Sequence, residues 1–146
     1  REVYVGVLGN ERITCLPPWE LSFGSMGEGQ SAIATRKVKW DRKYQQRHGI
    51  TRAAALDLPA PLKATLDRLS RRIYRALGLS GYARMDFRVR DDGQVFVLEA
   101  NANPCLAEVE DFAQSALSAG IGYPQLLQRL LQLGIQYKAE WRAGYG

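Results

Sequence analysis

The side chains best suited to chemistry in this 146-residue chain fall in one stretch, where Arg84, Asp86, Glu99 and Asn101 stand within eighteen positions of one another. Two acids, an amide and a guanidinium amount to hard oxygen donors beside a permanent positive charge. Ala83, Met85, Phe87 and Val89 alternate with Arg84, Asp86, Arg88 and Arg90, the period of a strand with one apolar face. Asp92-Gly93 follows, a favoured two-residue hairpin loop, and a second strand runs from Gln94 to Asn101. With that loop Asp91 pairs with Gln94, and each step inward keeps the same sum of residue numbers. Asp86 then faces Glu99, Arg84 faces Asn101, and Phe87 faces Leu98 on the apolar side. A three-residue loop would instead pair Asp86 with Leu98 and mix the two faces.

Directly opposed residues of an antiparallel pair have Cβ atoms roughly 4.5 to 5.5 Å apart, and like charges there destabilise the sheet. Two readings relieve the repulsion. One carboxyl stays protonated or Arg84 and Arg88 neutralise both, which makes the pair structural. Alternatively a cation sits between them, and hard oxygen ligands suit Mg²⁺ or Mn²⁺ rather than zinc. Magnesium keeps several waters and bridges carboxylates to phosphates, so such a partial cage implies a nucleotide. Arg84 beside it would stabilise a transferring phosphoryl group or a developing oxyanion.

The elements that must position these residues are legible around them. Val3, Val5 and Val7 alternate with Tyr4, Gly6 and Leu8, and after the turn residues Gly9-Asn10 a second apolar run spans Ile13 to Leu16, predicting an opening hairpin. Trp19 to Leu21 reads as a further strand. The glycine-rich stretch Ser22 to Gly29 reads as a mobile loop, and the basic stretch after it as mostly irregular with one short helix. From Pro61, the residues Leu62, Leu66, Leu69, Ile73 and Leu77 recur at helical spacing until Gly78. Two more helices are predicted over Val109 to Ala119 and from Pro124 to Gly134.

Composition bounds the rest. A content of 46% hydrophobic and 24% charged residues predicts one compact domain over 1–146. The apolar runs are too short to span a membrane, and no signal-peptide pattern opens the chain. Beginning directly in a strand-like stretch, the chain reads as part of something longer. Cys15 and Cys105 lie far apart and His48 is the one histidine, so no zinc site is expected and a reducing, cytoplasmic setting fits. The net charge of +5 is concentrated in Arg36, Lys37, Lys39, Arg42, Lys43, Arg47 and Arg52, a stretch that also carries Trp40 and Tyr44 and could grip phosphates.

The segments Ala83 to Phe87 and Leu98-Glu99-Ala100-Asn101-Ala102-Asn103-Pro104 resemble the paired C-terminal motifs of D-alanine-D-alanine ligases in the ATP-grasp superfamily. The resemblance extends from Arg1 to about Gly134. It implies an α+β fold, a mostly antiparallel sheet flanked by helices, forming the C-terminal ATP-grasp subdomain with a mobile basic loop over residues 22–52. It also implies that Asp86, Glu99 and Asn101 ligate two magnesium ions, with Glu99 bridging them. Leu98 would line the adenine pocket, Lys39 would contact the terminal phosphates of ATP, and Arg84 would act on the acyl-phosphate and tetrahedral species. The implied reaction joins a carboxylate to an amine at the expense of ATP. The implied partners are ATP, the two small-molecule substrates and an N-terminal part of the same protein, without which this chain would be inactive; a homodimer is compatible.

Departures from the family pattern fall at Trp40, where tyrosine is expected, and at Cys105 and Glu110, which stand where the family has a glycine and a substrate-holding serine. A glutamate there argues against a substrate carboxylate, hence against D-alanine as acceptor. Two rival readings stay open: a basic nucleic-acid-binding module built on Arg36 to Arg52, and a structural domain whose facing carboxylates bind no metal.

Overall fold

Every residue of the first strand, Glu2 to Leu8, is buried, although Glu2, Tyr4 and Gly6 interrupt its aliphatic positions. The reason is its place in the sheet. A computed structural model describes residues 1–22 and 41–138, and in it β1 (Glu2–Leu8) pairs on one edge with β3 (Trp19–Ser22) and the two-residue β2 (Thr14–Cys15), and on the other with β5 (Tyr82–Val89). β4 (Thr51–Ala54) lies outside β3, and β6 (Val95–Asn101) lies outside β5. The result is a six-stranded antiparallel sheet in the order β4-β3-β1-β5-β6, with β2 alongside β1. The expected α+β class with a mostly antiparallel sheet is therefore the one observed.

One face of the sheet carries Val3, Val5, Val7, Ala83, Met85, Phe87 and Val89, and α2 (Ala60–Ala76) packs Leu66 and Tyr74 onto it. Proline at the start of α2 is tolerated because the first turn has no partner for its missing N–H. The Tyr74 hydroxyl donates to the Gly9 carbonyl at 2.7 Å, which ties this helix to the β1–β2 turn. Gly9 has φ +131°, and a Cβ there would lie 2.0 Å from the Arg12 carbonyl oxygen, so no other residue fits the turn.

The second face is covered at one end by α3 (Asp111–Ser118) and α4 (Tyr123–Gln136), which enclose Leu8 and Leu16 with Phe112, Ala116 and Leu126. At the other end Tyr4, Leu21 and Ile50 pack with Trp19 and Tyr44. Between these apolar patches the face is charged. Gly6 lets α3 approach, since a Cβ on it would stand 2.8 Å from Leu16 and 3.1 Å from Phe112.

Three boundaries differ from expectation. Within residues 41–54 the chain forms not only the short helix α1 (Arg42–Arg47), capped by Asp41 accepting from the Tyr44 N–H at 3.0 Å, but also edge strand β4. Thr51-Arg52-Ala53-Ala54 lacks an apolar alternation because one face of that strand meets the charged zone. α3 begins at Asp111 rather than Val109, and α4 runs past Gly134 to Gln136. Among the described residues no helix is long and apolar enough to cross a membrane.

Candidate functional site

The hairpin places Asp86 opposite Glu99 and Arg84 opposite Asn101, but not by the expected route. Val89 pairs with Val95, the Arg90 N–H donates to the Gln94 carbonyl, and the Gly93 N–H donates to the Arg90 carbonyl. The loop is thus the three residues Asp91, Asp92 and Gly93, with Gly93 in the left-handed region at φ +82°. Phe87 faces Val97 rather than Leu98, and the register shifts between Asp86 and Phe87. One residue on β5 spans two on β6, so Leu98 is the extra residue of a β-bulge. The bulge restores the carboxylate pair that a three-residue loop alone would have lost.

Asp86 is 2% exposed, whereas Glu99 is exposed on the outer strand and Asn101 is half-buried. Arg84 binds Asp86 through both oxygens, Nε to Oδ1 at 2.7 Å and Nη2 to Oδ2 at 2.8 Å. Its guanidinium carbon lies 4.6 Å from the centre of the Tyr4 ring, the residue that faces Asp86 across β1 and β5. Its remaining nitrogen, Nη1, is 4.0 Å from Oδ2 of Asp111. Asp111 lies in turn 3.8 Å from Nε of Arg52, and Arg52 donates to Glu110 at 3.1 Å. Along the other direction Tyr4 donates to Glu2 at 2.9 Å, and Arg88 donates to the same carboxylate at 3.0 Å. Charges of opposite sign thus alternate across β4, α3, β5 and β1, as a part-buried cluster requires.

Burial acts on these groups in opposite senses. It pushes the Asp111 carboxyl above the usual range, with Arg52 and Arg84 pulling it back. For Arg84 burial is again the largest influence and lowers the guanidinium, but the hydrogen bonds and charge of Asp86, helped by Asp111, outweigh it and leave the group above its ordinary value. The Tyr4 phenol is raised by burial and by the neighbouring Glu2, so it stays a protonated donor. Arg84 is consequently a permanent cation with one edge, one face and one end engaged.

Among the described residues no three His, Cys, Asp and Glu side chains converge on a metal position, so a cation here would rest on two carboxylates and one amide. The donor chemistry fits magnesium, which takes few protein ligands and keeps its waters. Asp86 would have to share its oxygens with Arg84, and Asn101 already accepts from the Asn103 N–H at 2.9 Å. Leu98 is 51% exposed in the bulge, next to the exposed Phe96 and Val97. Lys39 and Trp40 lie outside the described residues. Tyr4 and Asp111 were not singled out by sequence, and Arg52 was read only as one cation of the basic, phosphate-gripping stretch. The alternation on β1 marks Tyr4 as sharing a face with Glu2, but its pairing with β5 is long-range and leaves no local signal.

A family model described as D-ala D-ala ligase C-terminus matches residues 1–132. The D-alanine--D-alanine ligase of Nitratidesulfovibrio vulgaris is 35% identical over 134 residues, covering 92% of this chain and 40% of the relative. That of Lactiplantibacillus plantarum is 30% identical, covering 92% and 34%. Among solved structures, a D-alanine--D-alanine ligase from Bacillus anthracis complexed with ATP superposes with a TM-score of 0.69 at 24% identity, over 99% of this chain and 40% of that one. A ligase from Coxiella burnetii gives 0.71 at 22% identity, over 92% and 32%. These structures share the fold, and the chain spans two fifths or less of the length of these relatives.

Proposed function

The chain belongs to the family described as D-ala D-ala ligase C-terminus, and from that premise we propose that it is the C-terminal part of an ATP-grasp ligase that joins a carboxylate to an amine. The observation that carries the reading is the bulged hairpin, which sets Asp86 against Glu99 with Arg84 beside them. Like charges are not placed face to face on a sheet without a counter-charge. Arg84 answers Asp86, and Glu99, exposed on the outer strand, faces Asp86 across the hairpin, which places two hard oxygen donors side by side.

In this reading Asp86, Glu99 and Asn101 hold magnesium ions, which when bound screen the charge of the ATP phosphates. Mn²⁺ has the same ligand preference and would serve in its place. Leu98, half exposed at the bulge, offers its apolar side chain to the adenine, and Lys39, which lies outside the described residues, is assigned to the terminal phosphates. Arg84 stabilises the charge that builds on the transferring phosphoryl group and then on the tetrahedral species. Its face rests on the Tyr4 ring, which limits the reorganisation needed during reaction. ATP, an acid and an amine are converted to an amide, ADP and phosphate.

An N-terminal part of the same protein supplies the remaining contacts to ATP, so this chain alone is inactive. ATP use and free thiols fit a cytoplasmic enzyme. The acceptor is set by the end of the site near Glu110. Because Arg52 binds that glutamate, its repulsion of a substrate carboxylate is weaker than the sequence suggests. In the full-length protein Asp86→Asn should abolish amine-dependent ADP release, with the thermal midpoint recorded alongside to separate catalysis from folding. Turnover retained with an unaltered magnesium requirement would sink the assignment.

A further inference from the structure

Arg84 is anchored on three sides, and only one of its anchors is also a candidate metal ligand. Nε and Nη2 are committed to Asp86, and the guanidinium face rests on Tyr4. When the Asp86 oxygens turn to a cation, that edge is weakened, since a carboxylate has a limited set of lone pairs to divide between a metal and a bidentate guanidinium. What then fixes the Nη1 end is Asp111. This carboxylate is 6% exposed, sits in the first turn of α3, and lies 4.0 Å from Arg84 and 3.8 Å from Arg52. Both separations exceed hydrogen-bond length, so Asp111 orients the two guanidinia by charge without occupying their donors. It also lines a cavity of about 350 Å³ with Trp19, Arg52, Val109 and Gln114.

We propose that Asp111 is a positioning residue: it holds the Nη1 end of Arg84 and keeps it in place when Asp86 is drawn to a cation. The role rests on the ligase reading for its purpose but not for its geometry. Arg52 is the outer anchor, holding Asp111 in place from β4 while Glu110 occupies its far end. Residues of β4, α3, β5 and β1 thereby fix the direction of one guanidinium.

The test is the solvent exchange of arginine Nε–H protons, followed by NMR in the full-length protein labelled at arginine. The Arg84 signal is assigned with Arg84→Lys. Arg71, whose Nε donates to Asp67 at 2.8 Å on α2, serves as the internal control of folding. With Mg²⁺ and ADP present, Asp111→Asn should speed Arg84 exchange about fivefold, the loss expected for one partly buried ion pair, and leave Arg71 unchanged. An unchanged Arg84 rate beside an unchanged Arg71 rate overturns the proposal. If Asp111→Asn also disturbs Arg71, Asp111→Leu replaces it, filling the buried position without stranding a polar group, with the same expected result. If the wild-type spectrum does not respond to Mg²⁺ and ADP at all, the ligase reading fails on its own. The nucleotide-free comparison then decides: a twofold or greater rise in Arg84 exchange supports the positioning role, and a smaller one refutes it.

Discussion

Deleting Leu98 separates the two jobs of the hairpin. With Leu98 gone, β5 from Arg84 to Val89 meets a partner of equal length, because Phe87 already pairs with Val97 and Asp86 with Glu99. The deletion therefore yields a regular ladder that keeps the facing carboxylates, and the energetic change in the sheet is small. What is lost is the side chain that the bulge presents. Leu98 is 51% exposed, so about half of its surface remains to be covered by a nucleotide. Burying a whole leucine side chain stabilises by about 1.5 to 3 kcal/mol, and half of that is about 1 kcal/mol. At 1.4 kcal/mol per tenfold, the KM for ATP should rise about fivefold. The assay is steady-state ADP release by the full-length protein, with magnesium titrated at saturating ATP. The magnesium dependence and kcat should stay within about twofold of wild type, because the metal pair keeps its register. A raised magnesium requirement with unchanged ATP KM would refute the reasoning, since it would mean that the bulge serves the metal rather than the base.

Two further predictions concern the scaffold. Gly6→Ala should destabilise the protein by about 1 to 3 kcal/mol in denaturant unfolding, because the new Cβ meets Leu16 at 2.8 Å and Phe112 at 3.1 Å, and two packed side chains must shift. Asp67 is held below the usual carboxylate range, first by its hydrogen bond from Arg71. A depressed carboxylate contributes stability above its unfolded pKa of about 3.9 and loses it as pH falls through the folded value. Asp67→Asn should thus be less stable than wild type at pH 7 and indistinguishable from it at the acid end of the transition. The side chain is 45% exposed, so the neutral-pH difference should be under about 1 kcal/mol.

The fold was legible where pattern and period are local. The strand alternation over Ala83 to Val89 and the helical spacing from Leu62 to Ile73 each match an observed element. The facing of Asp86 and Glu99 was reached through two compensating one-residue differences, a loop of three residues instead of two and a bulge at Leu98. Phe96-Val97-Leu98 is apolar throughout, so no alternation marks the residue that drops out of register. β4 escaped notice because it is a short edge strand whose Arg52 looks like part of a solvated basic run. Asp111 and Tyr4 join the site through contacts between elements distant in sequence, which no spacing rule encodes. The resemblance to ligase motifs named the hairpin residues but not the charges that hold Arg84 in place.

The central claim is that the paired carboxylates of the hairpin bind a divalent cation at a nucleotide. It is tested most directly by crystallising the full-length protein with Mn²⁺ and ADP and recording anomalous scattering at the manganese edge. An anomalous peak is expected between the Asp86 and Glu99 carboxylates, within coordination distance of both. A bound nucleotide whose manganese is held by other residues, with Asp86 still closed on Arg84, would contradict it.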